Sequence, residues 1–139
     1  MNKNIIKLDC TLRDGGYYNN WDFSEDFVRN YLIALSFARI NYVELGFRLF
    51  KNKGFKGAYA FCNDDLLNSI NIPAKINIAV MIKANDLILD GQLNREIIEK
   101  LVPNNSSFSK VDLIRIACRS DEIEIIAPAF KVLKEKGYK

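Results

Sequence analysis

Four short apolar runs, rich in β-branched residues, alternate along the chain with stretches whose apolar residues recur at helical spacing. The runs are Ile5–Leu8, Ile40–Gly46, Lys75–Ile82 and Val111–Ala117. After the first run and a turn at Asn19–Phe23, Ser24 is placed to cap a helix, with Glu25 and Asp26 facing the positive end of its dipole. Phe27, Val28, Tyr31, Leu32, Leu35 and Ala38 form one apolar stripe on that helix. Asn63-Asp64 begins a short helix through Ile70, and Asn94 starts another through Leu101 that Pro103 breaks; Asp86–Asp90 reads as a loop. The last helix is expected from Asp121 to Lys136, with Ile123, Ile126, Phe130 and Leu133 on one face, a kink or break near Ala127 from Pro128, and Gly137 as its C-cap.

Strand and helix thus alternate four times, which argues an α/β fold with a parallel sheet, either doubly wound or a barrel. A (β/α)8 barrel typically needs about 250 residues. Four units in 139 residues therefore read as one partial domain over 1–139, the N-terminal half of a TIM barrel. There is no internal repeat above that level, no linker and no low-complexity tract.

Composition narrows the function classes. Hydrophobic residues make up 49% and charged residues 27%, enough for one core. A net charge of +3, from 20 basic and 17 acidic side chains spread along the chain, gives no field for nucleic acid or an anionic membrane. No apolar run approaches the roughly 20 residues of a membrane span, and the first six residues lack the apolar stretch of a signal peptide, so a cytoplasmic protein is expected. Cys10, Cys62 and Cys118 fit neither a disulfide framework nor a zinc pair and read as reduced packing residues. The chain has no histidine, which removes the commonest metal ligand and general base.

Candidate chemistry centres on Leu8-Asp9-Cys10-Thr11-Leu12-Arg13-Asp14-Gly15-Gly16-Tyr17-Tyr18. The pattern places Arg13 and Asp14 where the first strand stops, with Gly15-Gly16 ending it. There a carboxylate offers oxygen ligands to a divalent metal and a guanidinium offers a donor fork to an oxyanion; a surface ion pair capping a turn is the plainer alternative. Glu44, inside an apolar strand, either projects into a polar site or lies on a solvated face. The connection from Phe47 to Phe61 carries Arg48, Lys51, Lys53 and Lys56, and is either a cover for an anionic substrate or a solvated loop. Lys83, Asn85, Arg115 and Arg119 fall near the ends of the third and fourth strands.

Leu8 to Gly15 resembles the first-strand signature of the metal-dependent aldolases and lyases related to HMG-CoA lyase, the DRE-TIM metallolyases. With Trp21-Asp22-Phe23 and Tyr42-Val43-Glu44-Leu45-Gly46-Phe47-Arg48, the chain is most similar to bacterial aldolase catalytic domain proteins and to 4-hydroxy-2-oxovalerate aldolase. The resemblance implies a carbon–carbon lyase acting on a 2-oxo acid or acyl thioester through an enolate. It implies Asp14 as ligand to a divalent ion, Mn or Mg, Arg13 as the group stabilising the enolate, and Glu44 as an ordering residue. Lys83 and Arg115 are candidates for the substrate carboxylate. Family members complete the metal site with a late His-x-His pair, absent here, and where the oxovalerate aldolases carry a catalytic histidine this chain has Tyr17. The expectation is a chain without useful aldolase activity on its own, needing a C-terminal half or forming a homo-oligomer; the rival is a non-catalytic half-barrel that serves as a binding or assembly module.

Overall fold

The computed structural model describes residues 5–139. Four parallel strands form one sheet in the order β1 (Leu8–Asp9), β2 (Tyr42–Phe47), β3 (Asn77–Lys83) and, at the far edge, β6 (Val111–Ala117). The fold is α/β, with helices between the strands: α1 (Thr11–Asn19), α2 (Glu25–Phe37), α3 (Asp64–Ser69), α4 (Ala84–Leu87), α5 (Arg95–Leu101) and α6 (Ile123–Glu135). Spatial order follows chain order, as in the wall of a barrel; β1 leaves an edge, while Lys139 pairs with the outer side of β6, its amide donating to the Asp112 carbonyl and its carbonyl accepting from the Ile114 amide, both at 3.1 Å. A small antiparallel hairpin, β4 (Ile88–Leu89) with β5 (Gln92–Leu93), stands where Asp86–Asp90 reads as plain loop.

Caps legible in the sequence do form. Ser24 accepts from the Phe27 amide at 3.3 Å, Asn63 from the Leu66 amide at 2.9 Å and Asn94 from the Glu96 amide at 3.0 Å. Gly137, at φ +86°, ends α6, and the Tyr138 amide reaches back to the Leu133 carbonyl at 3.0 Å. Helix α6 runs unbroken through Pro128. Its buried face is Ile126, Ala129, Val132 and Leu133, while Ile123 and Phe130 of the expected stripe are half exposed. On α2, Val28 and Leu32 are buried and Phe27 is half exposed.

The start of the chain departs most from expectation. Ile5 and Ile6 are exposed and lie outside β1, which comprises Leu8 and Asp9 alone. Arg13, Asp14, Gly15 and Gly16 do not sit at a strand end; they belong to α1, which begins two residues after the strand. Gly16 serves close approach rather than a turn: a Cβ there would stand 2.0 Å from the Trp21 indole, whereas Gly15 faces open space.

Period-two alternation sends Ile78, Val80 and Ile82 of β3 into the core against Val28, Leu32, Leu67, Ile97 and Ile98. Met81 and Lys83 take the opposite face. On β2 the register with β3 shifts between Glu44 and Gly46, where the Tyr59 carbonyl lies 1.9 Å from the position a Gly46 Cβ would take. That bulge turns Phe47 toward the face that carries Glu44.

Candidate functional site

The C-terminal ends of β2, β3 and β6, with α1, border an open cavity of about 340 Å3, near the lower end of the range for small-molecule sites. Arg13, Tyr17, Phe47, Lys83, Asn85 and Arg119 are among its lining residues. Glu44 lies beneath it, with none of its side chain exposed. An isolated carboxylate there would be costly, and two guanidinium groups compensate it. Arg13 Nε donates to Glu44 Oε1 at 2.8 Å, and Arg115 Nη1 donates to Oε2 at 3.1 Å and Oε1 at 3.3 Å.

Arg13 is fixed on three sides. Its backbone carbonyl accepts from Trp21 Nε1 at 2.8 Å, its Nε holds Glu44, and its Nη1 holds the Asp14 carboxylate at 2.5 Å. Burial works against the charge of Arg13, but the bond and charge of Glu44, with Asp14, outweigh it and hold the guanidinium above its ordinary pKa. Burial, followed by the charge of Glu44, pushes the Cys10 thiol up despite the two arginines nearby, so Cys10 stands as a neutral thiol at pH 7.

Phe47 organises the cavity's charge. Its ring centroid lies 5.7 Å from Arg13 Cζ and 5.0 Å from Lys83 Nζ, so two cations share one aromatic neighbour. Tyr17 and Trp21 meet the same ring edge-on at 6.2 and 5.4 Å. Tyr17 therefore lines the cavity through aromatic contacts, and among the described residues nothing hydrogen-bonds its hydroxyl. Lys83 has no carboxylate partner among the described residues. Arg119, also at the cavity, is engaged by Asp121 and Glu122.

The structure thus brings Arg13, Tyr17 and Lys83 together at one opening, with Glu44 below. Arg115 does not line the cavity; Glu44 and the Cys10 sulfur, at 3.4 Å, take its Nη1. Of the cations expected in the connection after β2, Arg48 is buried and structural, donating to the carbonyls of Cys62 and Leu101 and to Asp64. Sequence reasoning missed Phe47 and Trp21. A regular strand would put Phe47 on the face opposite Glu44, and only the bulge, marked by Gly46, brings both to one side.

A divalent ion does not fit the donors of this chain. Asp14 is exposed and held by Arg13, Glu44 is taken by two arginines, and among the described residues no three Asp, Glu, Cys or His side chains gather to hold a metal.

No family model matches the chain, and no curated protein does. Among solved structures it is similar to "Crystal structure of the N-terminal domain of a putative aldolase from Bacteroides vulgatus", with a TM-score of 0.83 and 32% identity. That match covers 97% of this chain and 42% of the other, so this chain spans less than half of the other's length. The class is therefore an α/β domain with the fold of that aldolase-type N-terminal domain. No helix among the described residues is long and apolar enough to cross a membrane.

Proposed function

We propose that the chain is the N-terminal portion of an aldolase or lyase of the HMG-CoA lyase-like class, making or breaking a carbon–carbon bond through the enolate of a 2-oxo acid or acyl thioester. The observation that carries this reading is Arg13, a guanidinium fixed by a fully buried carboxylate at the rim of a cavity at the strand ends. Breaking a bond next to a carbonyl leaves negative charge on its oxygen, and a fixed donor fork stabilises that charge without reorganising. Lys83, held over Phe47, takes the carboxylate of the substrate. Glu44 and Arg115 orient Arg13, and the Tyr17 hydroxyl at the rim is the group from which a proton is passed. The residues of this chain do not fit the Mn or Mg ion that the family resemblance implies, since Asp14 is held by Arg13 and Glu44 by two arginines, so the charge on the enolate oxygen falls to Arg13.

The test is exchange of the methyl protons of pyruvate with deuterium, followed by proton NMR, on the protein as its own cells make it. Exchange is expected, and Arg13→Met should slow it about a hundredfold. No exchange, or equal exchange in the variant, would overturn the reading. A second reading, a non-catalytic half-barrel that associates with another copy, is favoured by the open edge of β1. Size that rises with concentration in ultracentrifugation, with no exchange of pyruvate protons, would support it.

A further inference from the structure

Arg13 presents a cavity-lining guanidinium, yet its Nη1 is occupied by Asp14, a side chain that is 61% exposed and is not among those lining the cavity. Lys83 stands over the same Phe47 ring, with no carboxylate partner among the described residues. Two cations on one ring repel each other, and Glu44, already shared with Arg115, balances Arg13 from below. The opening therefore favours one further negative charge, and the Asp14 carboxylate supplies it from the rim in the absence of a ligand.

We infer that Asp14 is the internal counter-ion of Arg13, occupying the donor position that a ligand carboxylate takes when it bridges Arg13 and Lys83. Binding exchanges one carboxylate for another: Asp14 leaves Arg13 Nη1 for solvent, the ligand takes its place, and Glu44 stays on Nε throughout. This rests on the anion-binding role given to the cavity in the proposed function. It differs from that reading in what removing Asp14 does, since loss of a competitor tightens anion binding and loss of a metal ligand does not.

Trp21 is the sole tryptophan, and its indole N–H donates to the Arg13 carbonyl, so one indole resonance reports on this residue. The experiment titrates the 15N-labelled chain with oxalate in metal-free buffer and follows that resonance. Asp14→Asn should bind oxalate roughly three- to fivefold more tightly than the unaltered chain, as expected for removal of a partly exposed ion pair. Asp14→Glu, which keeps the charge, should bind as the unaltered chain does. Equal or weaker binding by Asp14→Asn would overturn the inference. Lys83→Met separates the two ideas: if it binds oxalate as well as the unaltered chain, the anion-binding reading itself fails, whereas a loss in Lys83→Met without tightening in Asp14→Asn removes the counter-ion role alone.

Discussion

Two carboxylate–guanidinium pairs, Glu44 with Arg13 and Asp64 with Arg48, each join one buried partner to one partly exposed partner and use the same chemistry to different ends. Asp64 accepts from Arg48 at 2.6 Å, Ser109 at 2.7 Å and Asn104 at 2.8 Å, and Arg48 also donates to two carbonyls, so the group joins the loop after β2, α3, α5 and the turn before β6. A cavity of about 330 Å3 lies beside this pair, yet both charges point at protein partners. Glu44 is fully buried, but its partner Arg13 lines a second cavity together with Lys83, a cation without a carboxylate partner among the described residues. Volume does not separate the two regions. What separates them is whether the donors of the arginine end inside the protein or at an opening.

The largest expected effect is on the structural pair. Asp64→Ala strands a buried guanidinium and should lower stability by about 3–5 kcal/mol, against about 1–3 kcal/mol for Glu44→Gln, whose arginines reach solvent; urea unfolding of both variants checks the order. The same pair sets a pH dependence. Burial raises the Asp64 carboxyl, but bonds from Ser109, Asn104 and Arg48 outweigh it and hold it below its ordinary value of 3.8. Its stabilisation is therefore complete above that value and is lost as pH falls through the lower folded-state value, and unfolding series at pH 5 and below should show a loss that Asp64→Asn lacks.

Smaller effects sharpen the comparison at the site's own support. Gly16→Ala drives a Cβ into the Trp21 indole, which holds the Arg13 carbonyl, and should cost about 1–3 kcal/mol. Gly15→Ala, in open space within the same helix, should stabilise by about 0.5–1 kcal/mol. Thermal unfolding of the two variants should move in opposite directions.

Much of the fold is legible along the chain, because β6, the Ser24, Asn63 and Asn94 caps and the Gly137 stop depend on local chemistry. The beginning is less so. Gly15-Gly16 after an apolar run reads as a turn, but contacts with Trp21 and Phe47 stabilise a helix there, and Gly16 is needed because an indole lies against it. Glu44 is legible as a buried carboxylate in search of partners, and Arg13 is legible as a cation at the same end of the sheet. That Arg115 serves Glu44, and that Arg48 turns inward, follow from pairings between residues 71 and 16 positions apart, which no local pattern carries. Phe47 was hidden by a bulge set by the Tyr59 carbonyl.

The most direct measurement is a crystal structure of the chain grown with oxalate. The expected result places one carboxylate of oxalate on the outward donors of Arg13 and the other at Lys83 Nζ, with Glu44 still on Arg13 Nε and Asp14 turned to solvent. Oxalate bound at Arg119 or beside Arg48, with Asp14 still on Arg13, would contradict the assignment of this cavity as the site.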